Sequence, residues 1–487
     1  MISQTKSYGI FLISLGLLLN GTSGMLFAQT NSTTAVPPAP SPGILNDWLR
    51  QQSTGLDSWD IGGQVRARYE DKAYFAVPKP LKTVDFQHTG DSENAYELMR
   101  ERLHLGWMPW DWIEVYGELQ DSTSFNDDRQ PSPDNDHYTL RQAWAALGNP
   151  EEFPLMAKVG RQELAYGDQR LIGVADWLNF GRTFDAAKLR YQSSNLWVDA
   201  FVSQPVLPDL QGFDTSDSHD KFSGLYASTR TLIPFQVSQV YFLARNTDPH
   251  PAYEAAEKPV QYPLASPRDI YTIGGRVQSL PGALDGWDYG AEAAYQFGRF
   301  ESSTTTPSLT QSAFAVHVVG GHTWSEAPLS PRLGLEYNYG SGDSNPSDGR
   351  HGTFDNLFPS QHGLYGIMDF FSLQNIHDLH LASSVKLWRP LTVSLDGHAF
   401  WLASTDDYFY QGNGAPRTTG GYGIHPGYNS FVGEELDLTA TLMVTSYASV
   451  QGGYAHFFAG DYVKDSLSGH GGAADADYVY AQATFNF

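Results

Sequence analysis

Ala476–Phe487 reads ADYVYAQATFNF and carries two patterns at once. Val479, Ala481, Ala483, Phe485 and Phe487 fall on one face, while Tyr478, Tyr480, Gln482, Thr484 and Asn486 fall on the other. A strict period of two is the geometry of a β-strand with chemically different sides. An apolar side that runs uninterrupted to an aromatic end suits a strand that meets lipid on one face.

The same alternation recurs upstream. In IGGQVRARYE (Ile61–Glu70), Gln64, Arg66, Arg68 and Glu70 oppose Val65, Ala67 and Tyr69. In DWIEVYGELQ (Asp111–Gln120), Glu114, Tyr116, Glu118 and Gln120 oppose Ile113, Val115, Gly117 and Leu119. WDYGAEAAYQFG (Trp287–Gly298) and EELDLTATLMV (Glu434–Val444) repeat the pattern. From Trp59 to Phe487 about eighteen such segments follow one another without a helical period, too many for one sandwich. Aromatics gather near segment ends, as in GWMPWDW (Trp107, Trp110, Trp112), VADWLNF and VKLWRP, where an interfacial girdle places them. MPWDW and KLWRP read as short turns, whereas Ser341–Gly363 reads as a long polar loop. That asymmetry, with a last strand resembling the signal read by outer-membrane assembly machinery, predicts an all-β, transmembrane antiparallel β-barrel of about 18 strands.

The remaining composition agrees. After the N-terminus no apolar run approaches the roughly 20 residues of a membrane helix, so any span must be built of strands. Residues 1–28 read as a signal peptide: Lys6, an apolar Ile10–Leu19 and a cleavage site after Leu26-Phe27-Ala28. Residues 29–58 form a Pro/Ser/Thr-rich periplasmic leader, expected to be extended, with ILNDWLR as one or two helical turns inside it. Residues 59–487 are the barrel. The absence of cysteine excludes disulfides, thiolate metal sites and thiol catalysis.

A barrel of this size encloses a lumen wide enough for water and solute, and the polar strand faces become its wall. The formal net charge is −24, yet residues 61–190 hold 15 of the 30 Lys and Arg. Arg66 and Arg68, Arg100 and Arg102, and Lys188 and Arg190 are i, i+2 pairs that share strand faces. A lipid-facing Arg or Lys near the midplane costs about 2–4 kcal/mol, so these six are expected to face the lumen. Neighbouring strands lie about 4.8 Å apart, which stacks the pairs into a ladder. Glu70, Glu101, Glu114, Glu118, Asp168, Asp176 and Asp185 are available to neutralise about half of the cations. The unpaired remainder would attract anions.

GRQELAYGDQRLIGVADWLNFGRTFDAAKLRY (Gly160–Tyr191), with WDIGGQVRARYE, LRQAWAAL and VQGGYAHFFAGDYV around it, resembles the signature of the alginate export family of outer-membrane β-barrels. The resemblance spans Trp59–Phe487. It implies an eighteen-stranded barrel of a Gram-negative outer membrane, exporting an anionic uronic-acid polysaccharide through an arginine-rich lumen. The matching cations are Arg66, Arg68, Arg100, Arg102, Arg141, Arg161, Arg170, Arg182 and Arg190, joined by Lys188, with Asp168 and Asp176 as acidic counterparts. For Arg161, Arg170 and Arg182 two readings stay open, wall or a loop GDQRLIGVADW folded into the lumen. Outer-membrane lipid and a periplasmic export or scaffold protein are the implied partners.

The leading reading is a passive channel for an anionic polysaccharide or its fragments. A general or sugar-selective porin without an export role is the alternative, and a β-barrel hydrolase the third. No G-x-S-x-G elbow occurs, and His104, His317, His380 and His398 read as hydrogen-bonding wall residues. No cofactor is expected. Asp343, Asn345, Asp348 and Asp355 put oxygens close enough for a loop calcium but lack the Ca-loop spacing, so Asx turns are favoured. An acidic barrel gives no ground for nucleic-acid binding.

Overall fold

The computed structural model describes residues 43–76, 84–88, 93–150, 152–209, 212–249, 267–301, 307–388 and 390–487. The expected signal peptide, and the leader as far as residue 42, lie outside the described residues. Within the leader, ILNDWLR belongs to a helix, Ile44–Gln52, of two and a half turns. Its Asn46 is buried, accepting the Ile61 N–H at 2.8 Å and donating to the Asp60 carboxylate at the start of the first strand.

Twenty strands are described, two of which (Thr215–Ser216 and Arg350–His351) are only two residues long. The other eighteen form one closed antiparallel barrel. The first, Trp59–Ala73, pairs with the second, Glu93–Trp110, and also with the last, Ala476–Asn486. Closure leaves no sheet edge unpaired in lipid. The connections alternate in length: Asp111-Trp112 is a two-residue turn, and 163–183, 341–375 and 403–430 on the opposite side are long.

The two faces divide as the alternation requires. Leu103, Leu105, Val115, Leu119, Leu189, Leu436, Leu438, Val479 and Phe485 are all exposed on the outer wall. The inward residues between them (Arg100, Glu118, Gln120, Gln296, Asp437, Tyr478, Tyr480) are buried. Beyond Leu103 on the second strand the outward position is Glu101, opposite Asp121, which marks the loop-side limit of the apolar band. Glu101 is therefore not a counter-ion of the inner wall.

The interior departs from the expected open lumen. The long loop-side connections turn inward and pack a hydrophobic core inside the barrel, including Phe354, Phe358, Phe370, Phe371 and Phe409 against wall residues Phe184, Phe222, Phe400 and Phe457. Ser341–Gly363, expected as a polar loop, is part of this filling, because its Phe354, Leu357 and Phe358 alternate with the polar residues and bury. Two inserts, 163–183 and 341–375, pair with each other: Gly173 N–H donates to the Phe358 carbonyl at 2.8 Å and Phe358 N–H to the Leu171 carbonyl at 3.0 Å.

The seam depends on a glycine. Gly63 exchanges two backbone hydrogen bonds of 2.9 Å with Phe487, and a Cβ there would lie 2.3 Å from the Arg102 carbonyl and 2.6 Å from the Phe487 ring. Gly63→Val is expected to destabilise the barrel by about 1–3 kcal/mol, as overpacking does elsewhere. The unfolding midpoint read by heat-modifiable gel mobility should fall; an unchanged midpoint would show the seam can relax around the added atoms.

Candidate functional site

The first, second and fourth strands present Arg66, Arg68, Arg100, Arg102 and Arg141 to the interior. Arg66 stands directly opposite Arg100 in the register, and Gln64 opposite Arg102. Like charges this close repel, and burial strips their hydration, so each needs acceptors at short range. The insert 163–183 supplies them largely from its backbone. Arg66 donates to the carbonyls of Asp176 (2.7 Å), Trp177 (3.3 Å) and Leu178 (3.1 Å) and to Asn179 Oδ1 (3.3 Å). Arg68 donates to the Trp177 carbonyl at 2.8 Å, and its guanidinium lies 3.9 Å from the centre of the Trp177 ring. Arg141 reaches the Phe180 carbonyl at 2.7 Å.

The Asp176 carboxylate completes the cluster. Arg100 and Arg102 each approach its Oδ1 at 3.0 Å, and its side chain remains 50 % exposed. Burial alone would raise its pKa, but Arg100, Arg102, Arg66 and Arg141 together hold it well below the usual carboxylate range. Arg68 also pairs with Glu70, which Lys72 shares, and Arg141 with Glu118 (3.2 Å) and Glu163. Six cations thus share four carboxylates among the described residues. Arg66 Nε, Arg100 Nε and Arg102 Nη2 are buried without a hydrogen-bond partner.

The remaining expected cations have other duties. Arg170 crosses the interior to pair with Asp168 (3.2 Å) and Glu336 (3.1 Å), and to bond Asn338 and Tyr365. Arg182 joins the two inserts, donating to the carbonyls of Gly173 (3.3 Å) and Pro359 (2.7 Å). Burial, aided by repulsion from Arg245, pushes its pKa down to about 10, so it stays charged at neutral pH. Lys188 and Arg190 face inward but share Asp199, at 3.8 and 2.6 Å. Arg161 is a correction: it lies on the outward face with exposed Val159, opposite Asp185, to which it donates at 2.9 Å. The reason is parity, since Val159 and Ala187 fix that sheet face as the outer one.

Several contributors escaped the sequence reading. Asn179 is fully buried and donates to the carbonyls of Met99 (3.1 Å), Thr123 (3.4 Å) and Asp134 (3.2 Å), tying the insert to the wall. Trp177, expected at the membrane interface or in the loop beside it, sits on the insert inside the barrel, stacked on His362 at 3.6 Å and under Arg68. Three strands round the barrel from Trp59–Ala73, the strand Phe431–Met443 is acidic on its inner face. Glu435 and Asp437 accept the N–H groups of Met368 (2.9 Å) and Ile367 (3.2 Å) from the second insert. The histidines pair with acids or amides: His104 with Asp60, His317 with Asn338 and Glu336, His398 with Asp378, and His380 stacks on His398. None of these contacts involves a serine hydroxyl.

The calcium oxygens are committed elsewhere. Asp343 caps Asn345, Asp348 caps Arg350, and Asp355 pairs with Arg245 and Arg268. No group of three or more metal-ligating side chains occurs among the described residues.

A closed eighteen-stranded barrel with a lipid-facing band, short turns on one side and a charged interior defines the class: an outer-membrane β-barrel channel. The chain belongs to the alginate export family, whose model matches residues 58–475. Its fold is shared with the BenF-like porin from Pseudomonas fluorescens Pf-5, with a TM-score of 0.55 at 9% identity, covering 88% of this chain and 99% of that one. The outer membrane protein OpdK from Pseudomonas aeruginosa (TM-score 0.54, 11% identity, 88% and 98% covered) and OpdQ from the same organism (0.53, 11%, 88% and 99%) are similar in the same way. No curated protein matches the sequence. These likenesses place the chain in the outer membrane of a Gram-negative bacterium.

Two outcomes follow from the clamp. Asn179→Ala removes the amide that donates to three carbonyls and should weaken the seating of the insert by about 1–3 kcal/mol, seen as faster proteolysis within residues 163–183. Because Asp176 titrates below the unfolded carboxylate value near 3.9, its contribution is complete above that value and lost as pH falls beneath it. Protease resistance of the insert should therefore be flat between about pH 5 and 8 and drop only in stronger acid.

Proposed function

We propose that the channel passes an anionic polysaccharide of the uronic-acid class, or its fragments, along the basic wall. The observation that carries this reading is the donor excess around Asp176. Six cations share four carboxylates, and three guanidinium N–H groups are buried without acceptors. A buried unsatisfied donor costs about 1–3 kcal/mol, and a carboxylate that enters the cluster from the half-exposed side of Asp176, in place of that side chain, would recover part of it. Guanidinium groups suit a polymer with one carboxylate per sugar, because the planar fork matches the carboxylate in a bidentate contact. Asp176 already makes such contacts from the insert, so this geometry is compatible with the spacing of Arg100 and Arg102.

A general or sugar-selective porin is the second reading, favoured by the porin-like fold and by the pairing of Lys188 and Arg190 with Asp199. Conductance separates the two. In a bilayer under a salt gradient, the reversal potential should show anion preference, and oligouronates should block the current. Charge reversal at Arg102, which the insert carbonyls do not hold, should weaken both. Equal permeability to both ions with no oligouronate block contradicts the uronate reading and leaves the porin.

A further inference from the structure

On the outer surface, at the loop-side edge of the apolar band, the strands Arg332–Gly340, Ile376–Trp388 and Leu391–Leu402 border a groove of about 810 Å³. Leu379 and Trp401 form its lower part and continue the lipid-facing surface of Leu335 and Leu381. Tyr337 closes one side, its hydroxyl hydrogen-bonded to His377 Nδ1 at 2.7 Å. Above the apolar band the groove is bordered by chain on its loop side. The roof combines residues 403–406 with Tyr428 and Ser430.

That roof is fixed in advance. Leu402 N–H donates to the Ser430 carbonyl at 2.9 Å, and His425 N–H to the Thr405 carbonyl at 3.2 Å. Asn375 closes a two-way bond with Ser404, donating to its carbonyl at 2.9 Å and accepting its N–H at 2.7 Å. A binding seat that needs no ordering loses less affinity to conformational entropy.

The chemistry of the groove selects among lipids. Its upper part offers hydroxyls from Ser404, Thr405, Tyr428 and Ser430 and one carboxylate, Asp406, and neither Lys nor Arg lines it. A phosphate headgroup would meet Asp406 with no cation to offset the repulsion. A sugar headgroup would instead donate hydroxyl hydrogens to Asp406 and lay its apolar face on Tyr428 or Trp401, while its acyl chain follows Leu379 into the band. We propose that this groove seats one outer-leaflet glycolipid, with its sugar at Asp406 and its chain along Leu379 and Trp401. The seat lies on the outside of the barrel and is independent of what crosses the lumen.

The test is native mass spectrometry of the full chain in a zwitterionic detergent that has no sugar headgroup. Monoglucosyl diacylglycerol, phosphatidylethanolamine and phosphatidylglycerol of equal chain length are added separately. One glucolipid should be retained at least tenfold more tightly than either phospholipid. Asp406→Arg should abolish that preference and favour phosphatidylglycerol, and Ser430→Trp, which fills the groove, should abolish retention of all three. Gel heat-modifiability confirms that both variants are folded, and Leu379→Ser serves in place of either one that is not, with a predicted loss of glucolipid retention. Equal retention of the three lipids would mean ordinary annular contact and overturn the proposal. So would unchanged glucolipid retention in Asp406→Arg, or displacement by free glucose at the glucolipid's own concentration.

Discussion

The guanidinium of Arg66 holds three consecutive carbonyls of the insert, from Asp176 to Leu178, and the inner architecture follows from that contact. A row of buried arginines is unstable unless acceptors reach it, and a strand wall has few to give, since its own carbonyls are used in the ladder. An inserted loop has carbonyls to spare. Its backbone neutralises part of the wall's field without adding as many negative charges as there are guanidinium groups. The arrangement therefore keeps the wall basic while satisfying most of its donors.

The strand Phe431–Met443, three places round the barrel, uses the complementary half of the same backbone chemistry. Glu435 and Asp437 accept N–H groups from Met368 and Ile367, so the second insert meets acidic strands with donors where the first meets basic strands with acceptors. The inserts join each other through the Gly173–Phe358 bonds and through Arg182, which spans from Gly173 to Pro359. Phenylalanines from the second insert and the wall then exclude water around these polar contacts. Charge on the strands thus selects which edge of each insert turns toward it, and apolar packing fixes the inserts together.

Much of the barrel was legible in the sequence because lipid enforces a strict period of two over long strands. Val479 and Phe485 face out and Tyr478 and Tyr480 face in, as ADYVYAQATFNF requires. The inward pairs Arg66/Arg68 and Arg100/Arg102 were legible for the same reason. What lay on loops was not, because loop residues have no period to betray their direction. Trp177 looked like a girdle residue by composition, and only the three-dimensional course of the insert brings it under Arg68. Asn179 carried no signal beyond its place in VADWLNF. Arg161 was misread because it shares a motif with inward cations, although one residue's shift in a strand reverses the face. A loop folded into the lumen was one of the two readings open for GDQRLIGVADW; the rest of the filling was not legible, since strand count bounds the width of a barrel and says nothing of loops that fold back into it.

The central claim is that the insert 163–183 is a built part of the channel interior, bound to the basic wall. Amide hydrogen exchange read by mass spectrometry on the membrane-embedded chain tests this most directly. Gly173, Ala175, Leu178 and Arg182 all donate their N–H groups to partners inside the barrel. Peptides covering residues 171–182 should be protected to a degree comparable with the neighbouring strands Leu155–Gln162 and Phe184–Gln192. Exchange of those amides within seconds, as in an open loop, would contradict the account.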